Sequence, residues 1–168
     1  MALTPRPDKP LPEQAWIERL NLAPHPEGGW FRRLYTDPAT VETAHGRRAR
    51  ITSIHYLLTR ASPRGCLHRN RSTILHYLQH GGPVRYLVLD ESGALRSTVL
   101  GSGDGQALFL EVPGGCWKAS VLIDSATHAL VSEVVVPGFD FADHEYMSAA
   151  RLRAEFPQYL DALGDLVR

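Results

Sequence analysis

Residues 65–82 read GCLHRNRSTILHYLQHGG, a stretch that sets His68, His76 and His80 among strand-forming residues. Imidazole titrates near neutral pH and also ligates zinc, iron or nickel, so histidine at this density points to proton transfer or to a metal site. His76 is a candidate general base. Glu133, in LVSEVVV, interrupts an apolar strand; a carboxylate buried there needs a partner, and Lys118 or His68 would serve. His25 and Glu27 lie in HPEGG, where Gly28 and Gly29 permit backbone angles closed to other residues, so the turn could set both over the mouth of a barrel. Arg32 and Arg33 alternate along WFRRLY, so only one of them can face inward, where a guanidinium would grip an anion bidentately.

Groups of this kind need a scaffold. A chain of 168 residues suits a single domain with a sizeable core. Eighteen basic residues balance eighteen acidic ones, which argues against a general nucleic-acid or anionic-membrane binder, because there is no surplus of positive charge to neutralise phosphates. The locally basic run GRRAR at 46–50 reads as a solvated loop. Cys66 and Cys116 form no CxxC unit, which implies neither a structural zinc site nor a disulfide framework; both read as small buried fillers. The N-terminus has no apolar stretch of signal-peptide length, and no window approaches the roughly 18 apolar residues of a membrane span. The expectation is a soluble, cytoplasmic protein.

The first eleven residues carry three prolines and read as an irregular arm, with a single domain over 12–168. PEQAWIERLNL brings Trp16, Ile17 and Leu20 together at helical spacing, with Pro12 in the first turn. From Trp30 to Glu145 short β-rich runs alternate with Gly, Pro, Asp and Ser clusters every eight to twelve residues, the mark of an all-β sandwich or barrel. DESGA, 90–94, is a hairpin-type turn. The tail from Ser148 returns to helical spacing, interrupted at Pro157. Period-two counting from Ile74 places Ile74, His76, Leu78 and His80 on one face. Tyr56, Tyr77 and Tyr86 read as core or interface residues, and so does His55. PGFDFADHEY reads as a closing segment anchored by Phe139 and Phe141, in which Asp143 and His144 are structural hydrogen-bonding groups.

These motifs resemble the cupin superfamily. Its first signature, Gly…His-x-His…Glu…Gly, maps onto Gly65–Gly81, with His68 at the first ligand position, Asn70 at the second and Ile74 in place of the glutamate. Its second, Pro-x-Gly-x-x-His, maps onto Pro113–Lys118, with Lys118 in place of the last histidine. Isoleucine cannot coordinate and an ammonium repels a divalent ion, so the usual metal site is not expected, although His76 could join His68 around a divalent metal. More narrowly, PHPEGGWFRRLY (24–35), TSIHYLL (52–58), HRNRS (68–72), VPGGCWKAS (112–120) and VVVPGFDFADHEY (134–146) occur in the order of a cupin group of unknown function, RmlC-like in fold. STILHYL stands where many members of that group carry Asp-Glu before a Trp-His pair. The resemblance spans Leu20 to Tyr146 and implies an all-β jelly-roll barrel with short terminal helices, and a homodimer. It also implies that His68 and Lys118 point into the lumen from neighbouring strands.

Together these readings lead to binding of a small polar metabolite, sugar-like or carboxylated, in the lumen. No cofactor is required. His68 and His76 would move protons as in an isomerase or epimerase, Lys118 would stabilise an anion or enolate, and His25, Glu27, Glu133 and one of Arg32 and Arg33 would contact the ligand. Two alternatives stand beside this: a metal-dependent enzyme with His68 and His76 as ligands, and a binder without catalysis.

Overall fold

A strand covered on both faces must be apolar at successive positions, and TSIHYLLT and HALVSEVVV are built that way because each lies inside a sheet packed on both sides. The computed structural model describes residues 13–168; the arm expected over 1–11 and Pro12 lie outside the described residues. Helix α1 (Glu13–Leu20) leads into β1 (Ala23–Pro24), β2 (Trp30–Thr36) and the hairpin β3 (Thr40–Thr43) and β4 (Gly46–Ala49). Next come β5 (Thr52–Thr59), β6 (Arg64–Asn70), β7 (Thr73–Gly81), β8 (Val84–Leu89) and β9 (Leu95–Leu100). Strands β10 (Phe109–Val112), β11 (Trp117–Leu122), β12 (His128–Val136) and β13 (His144–Tyr146) follow, then α2 (Ala149–Glu155) and α3 (Leu160–Leu163). A 3₁₀ turn beginning at Pro157 separates the last two helices, because proline can open a new turn but cannot continue the old helix.

Eleven strands form two antiparallel sheets, ordered β1-β2-β5-β12-β7-β10 and β13-β6-β11-β8-β9, and β3 and β4 pair as a separate two-stranded sheet. The facing sides of the two larger sheets share one core of Tyr56, Leu58, Val84, Tyr86, Leu100 and Val131. The alternate residues point outward, and each outer face is covered by a chain terminus. Helix α1 seats Trp16 near Leu57 and Leu130 on the six-stranded sheet. The C-terminal segment packs Leu152, Leu163 and Leu166 on Leu67, Trp117 and Ala119 of the five-stranded sheet. This is the all-β jelly-roll barrel with short terminal helices that the resemblance implied. Among the described residues no helix is long and apolar enough to cross a membrane.

Two expectations are corrected. His80 leaves the face it was grouped on: a bulge in β7 slips the pairing with β12 between Leu78 and His80. One extra residue inverts the alternation, so His80 points outward and stacks on His128 with ring centroids 5.1 Å apart, beside Trp16. The GRRAR run is not a solvated loop but the second strand of the β3–β4 hairpin. Its Arg48 is buried and forks onto Asp143 at 2.7 and 3.0 Å. That pair ties the hairpin to the segment leading into β13.

Leu67 is fully buried next to His68 in the chain and holds β6 against the C-terminal helices. Leu67→Ala is expected to cost about 2–5 kcal/mol of stability, read as a lower urea midpoint with unchanged slope. A loss well below that range would show that the C-terminal segment does not brace β6.

Candidate functional site

Antiparallel pairing places residues side by side across a sheet, and two such rows make the site. In the six-stranded sheet Arg33, Ile54, Glu133, His76 and Leu110 stand opposite one another on successive strands. In the five-stranded sheet Tyr146, His68, Lys118 and Val88 do the same. The inner faces of the two rows confront each other across the barrel.

Lys118 closes the gap from one sheet to the other. Its Nζ lies 3.2 Å from Glu133 Oε1 and 2.8 Å from His76 Nε2, and all three residues are buried. His76 Nδ1 faces the Leu110 carbonyl at 3.3 Å; since a carbonyl can only accept, Nδ1 carries the proton and Nε2 is free to accept from Lys118. Burial, helped by the Lys118 charge, pushes the His76 pKa down to about 3 and keeps the ring neutral. Burial alone would raise the Glu133 carboxyl, but the Lys118 and His76 fields outweigh it and hold Glu133 below its usual range.

A second cluster lies nearer the surface. Glu27 is delivered by the HPEGG turn, in which Gly28 N–H donates to the His25 carbonyl at 3.0 Å and Glu27 N–H to His25 Nδ1 at 3.1 Å. Gly28 adopts φ +101°, and a Cβ there would lie 2.2 Å from the Arg64 carbonyl oxygen. Glycine is therefore what allows this turn to rest against β6. One Glu27 oxygen is 2.8 Å from His144 Nε2 and the other 3.2 Å from His68 Nε2. His68 Nδ1 is 2.7 Å from its own strand's Cys66 carbonyl, so it too carries its proton on Nδ1. Burial, with Lys118 adding to it, pushes the His68 pKa down to about 4 against the pull of Glu27. Burial alone would raise the Glu27 carboxyl, but the facing His68 and the hydrogen bond from His144 outweigh it and hold it well below the usual range.

Between the clusters lies a cavity of about 90 Å³. Its polar wall is His25, Glu27, Arg33, His68, Asn70 and Glu133, and its apolar wall includes Phe31, Ile54, Ile74, Val135, Phe139 and Phe141. Arg33 is thus the inward member of its pair, with its guanidinium 5.9 Å from the centre of the Phe139 ring. Arg32 turns away and donates to the Leu20 carbonyl at 3.3 Å. Phe139 and Phe141 line the cavity, but Phe141 stays 71% exposed and does not anchor the segment as expected. His76 and Lys118 do face the interior, but they stand behind Glu133 rather than on the wall, with Tyr86 packed against both. His76 is also not the imidazole that meets His68 beside a carboxylate: Lys118 occupies its Nε2, and the second ring near His68 is that of His144.

His144 and Asn70 are the residues whose roles sequence reasoning missed. They pair across β13 and β6 and form the partition between the cavity and an outer groove of about 420 Å³ lined by Arg69, Arg71 and Glu145. The signal for Asn70 was its place two residues after His68, on the same face. His144 had none, because its approach to Glu27 bridges 117 residues of chain. The usual cupin metal site does not fit this chain. Of its four positions, Ile74 offers no donor and the Lys118 Nζ is engaged by Glu133 and His76.

A family model described as Cupin superfamily (DUF985) matches residues 14–147, and the chain belongs to that family. An uncharacterized protein of Saccharomyces cerevisiae, YML079W, is 36% identical over 159 residues, which cover 85% of this chain and 79% of that one. A hypothetical protein from Leishmania major superposes with a TM-score of 0.87 at 31% identity, covering 94% of this chain and 99% of that one. Oxalate decarboxylase from Bacillus subtilis superposes with a TM-score of 0.55 at 16% identity over 83% of this chain and 36% of that one, a likeness of fold alone.

Because folding holds His76 neutral while the unfolded chain takes up a proton near pH 6.5, the unfolded state binds more protons between that value and about pH 3. Stability from this group is complete above that window and falls by about 1.4 kcal/mol per pH unit within it. The depressed carboxyls of Glu27 and Glu133 act in the same direction but only below the carboxylate range. Urea midpoints measured from pH 8 to 5 should therefore decline less steeply in His76→Gln than in the unsubstituted protein. Equal slopes would mean that His76 is not held neutral.

Proposed function

We propose that this DUF985 cupin binds a small organic acid in its barrel and moves a proton on it, as an isomerase or epimerase does. The observation that carries this reading is Glu133: an ionised carboxylate on the wall of a mostly apolar cavity, backed by Lys118 and the neutral His76. Proton abstraction next to a carbonyl needs a base in reach and positive charge for the oxygen that turns anionic. Glu133 is the base in this reading. Arg33 and the His25 ring, whose Nε2 carries the proton because Nδ1 accepts from Glu27, meet the substrate's carboxylate. Lys118 and His76 act through Glu133: the ammonium touches both its oxygen and the bare His76 nitrogen, which offers a proton taken by Glu133 an onward path. The size of the cavity favours an acid of a few heavy atoms over a sugar nucleotide.

A panel of small 2-hydroxy and 2-oxo acids, incubated with the protein in deuterium oxide and followed by proton NMR, tests this. Deuterium should enter beside the carbonyl of at least one member. Glu133→Gln should slow that exchange by about 100-fold or more, and Arg33→Ala should weaken binding of the same acid by about 10-fold or more. Binding of an acid without exchange would overturn the catalytic reading and leave a ligand-binding barrel.

Homodimerisation belongs to the proposal as well. Tyr77 and Phe109 pack together at a tilt, half exposed, on the outer edge of the six-stranded sheet beside exposed Leu108, and a second copy covering them would remove that apolar strip from water. Light scattering is expected to give twice the 18.7 kDa chain mass, and a monomer mass would remove this part of the reading.

A further inference from the structure

We propose that Glu27, His68 and His144 form a binding site for a divalent transition-metal ion at the mouth of the barrel, with the Asn70 side-chain oxygen as a fourth donor or as the anchor of a metal-bound water. This goes beyond the proton-transfer reading and stands independently of it. Of the four usual cupin metal positions it uses His68 and, as a donor or the anchor of a water, Asn70, and it recruits Glu27 and His144 from segments outside both cupin signatures.

Three observations carry it. First, a ring nitrogen of each histidine and a Glu27 carboxylate oxygen lie within 4.8 Å of one another. Donors bound to one tetrahedral ion at ~2.0–2.1 Å stand about 3.3 Å apart, and His68 Nε2 is 3.2 Å from its Glu27 oxygen. Second, the Cys66 carbonyl accepts from His68 Nδ1, so Nε2 is the ring nitrogen turned toward the Glu27 carboxylate, 3.2 Å away. A ring nitrogen donating to a backbone carbonyl while the other faces the ion is how proteins orient metal-bound imidazole. His76 makes the contrast: it is locked in the same way by the Leu110 carbonyl, but its bare nitrogen meets an ammonium and needs nothing more. Third, Asn70 is more than nine-tenths buried, lines the same cavity, and its Oδ1 has no hydrogen-bond partner among the described residues. Register places it opposite His144 and two residues from His68 on the same face.

The site is also held in advance of any ion. Glu27 sits on a turn whose own carbonyl accepts from Cys66 N–H at 2.7 Å. His68 lies inside a paired strand, and His144 follows Asp143, which Arg48 clamps. Two imidazole nitrogens and one carboxylate are a donor set for zinc or ferrous iron, with remaining coordination positions for water or a ligand oxygen.

The probes are Zn²⁺ and Co²⁺ alone, titrated calorimetrically into protein freed of metal by chelation and dialysis, with no organic acid present. The expected result is one equivalent bound, with affinity reduced by about 100-fold or more in Glu27→Gln and in His144→Ala. The same loss should appear in His144→Gln, which keeps a hydrogen-bond donor toward Glu27 should the alanine variant fold poorly. Bound Co²⁺ should show the visible absorption of a four- or five-coordinate ion, absent in the variants. His80→Ala, which removes half of the outer-face histidine pair, should bind as the unsubstituted protein does. Failure to bind either ion overturns the site, and so does binding that survives Glu27→Gln and both His144 variants or is lost with His80. Because the readout is the ion itself, a negative result here is distinct from failure of the exchange experiment on Glu133.

Discussion

Everything inside this barrel depends on how the Glu133 charge is neutralised. A carboxylate within an apolar interior is tolerated only with a close, hydrogen-bonded counter-charge, and here that charge comes from the opposite sheet. Lys118 is the only lysine or arginine among the buried residues of that row, and it reaches across to Glu133 and to the neutral His76 beside it. The contact therefore links the two sheets at the depth where the lumen begins. It also explains why Lys118 stands where the cupin pattern has a histidine: an imidazole at 118 would have no long stem with which to span the gap, and its charge would be lost at neutral pH.

Around that linkage the chain holds its mouth by different means. The glycine turn carrying Glu27 rests on β6, and the segment carrying His144 is clamped through Asp143 by Arg48 of the β3–β4 hairpin. Each contact joins elements far apart in sequence, so the two groups meet only once both sheets have closed. Phe31, Phe139 and Phe141 then give the cavity an apolar wall, beside which electrostatic interactions are stronger than in water.

The chain shares its fold with proteins of very different sequence, and fold alone assigns no chemistry. What separates it from the usual metal-binding cupin is local. Ile74 makes the deep position apolar, Lys118 converts the last ligand position into a counter-ion, and polarity is concentrated instead at the mouth. One barrel thus carries two polar centres, a buried one that holds charge and a shallower one that borders the cavity.

Much of this was legible in the chain itself. Period-two alternation with regularly spaced turn residues requires an antiparallel all-β fold, and amphipathic ends require terminal helices to cover it; both are local consequences of side-chain geometry. That Glu133 needs a partner, that one of Arg32 and Arg33 faces inward, and that HPEGG presents Glu27 also follow from local rules. The partners themselves do not. His80 was misplaced because a single bulge residue inverts strand parity, and no local signal marks it. GRRAR reads as solvated until Asp143, 95 residues away, supplies a buried counter-charge for Arg48. His144 meets Glu27 and His68 only through the register of β13 on β6. The sequence by itself determined which groups must be buried and which of them needed compensation. Tertiary structure alone decided which group compensates which, because the short-range interactions that do so act between atoms brought together by sheet register and closure, not by distance along the chain.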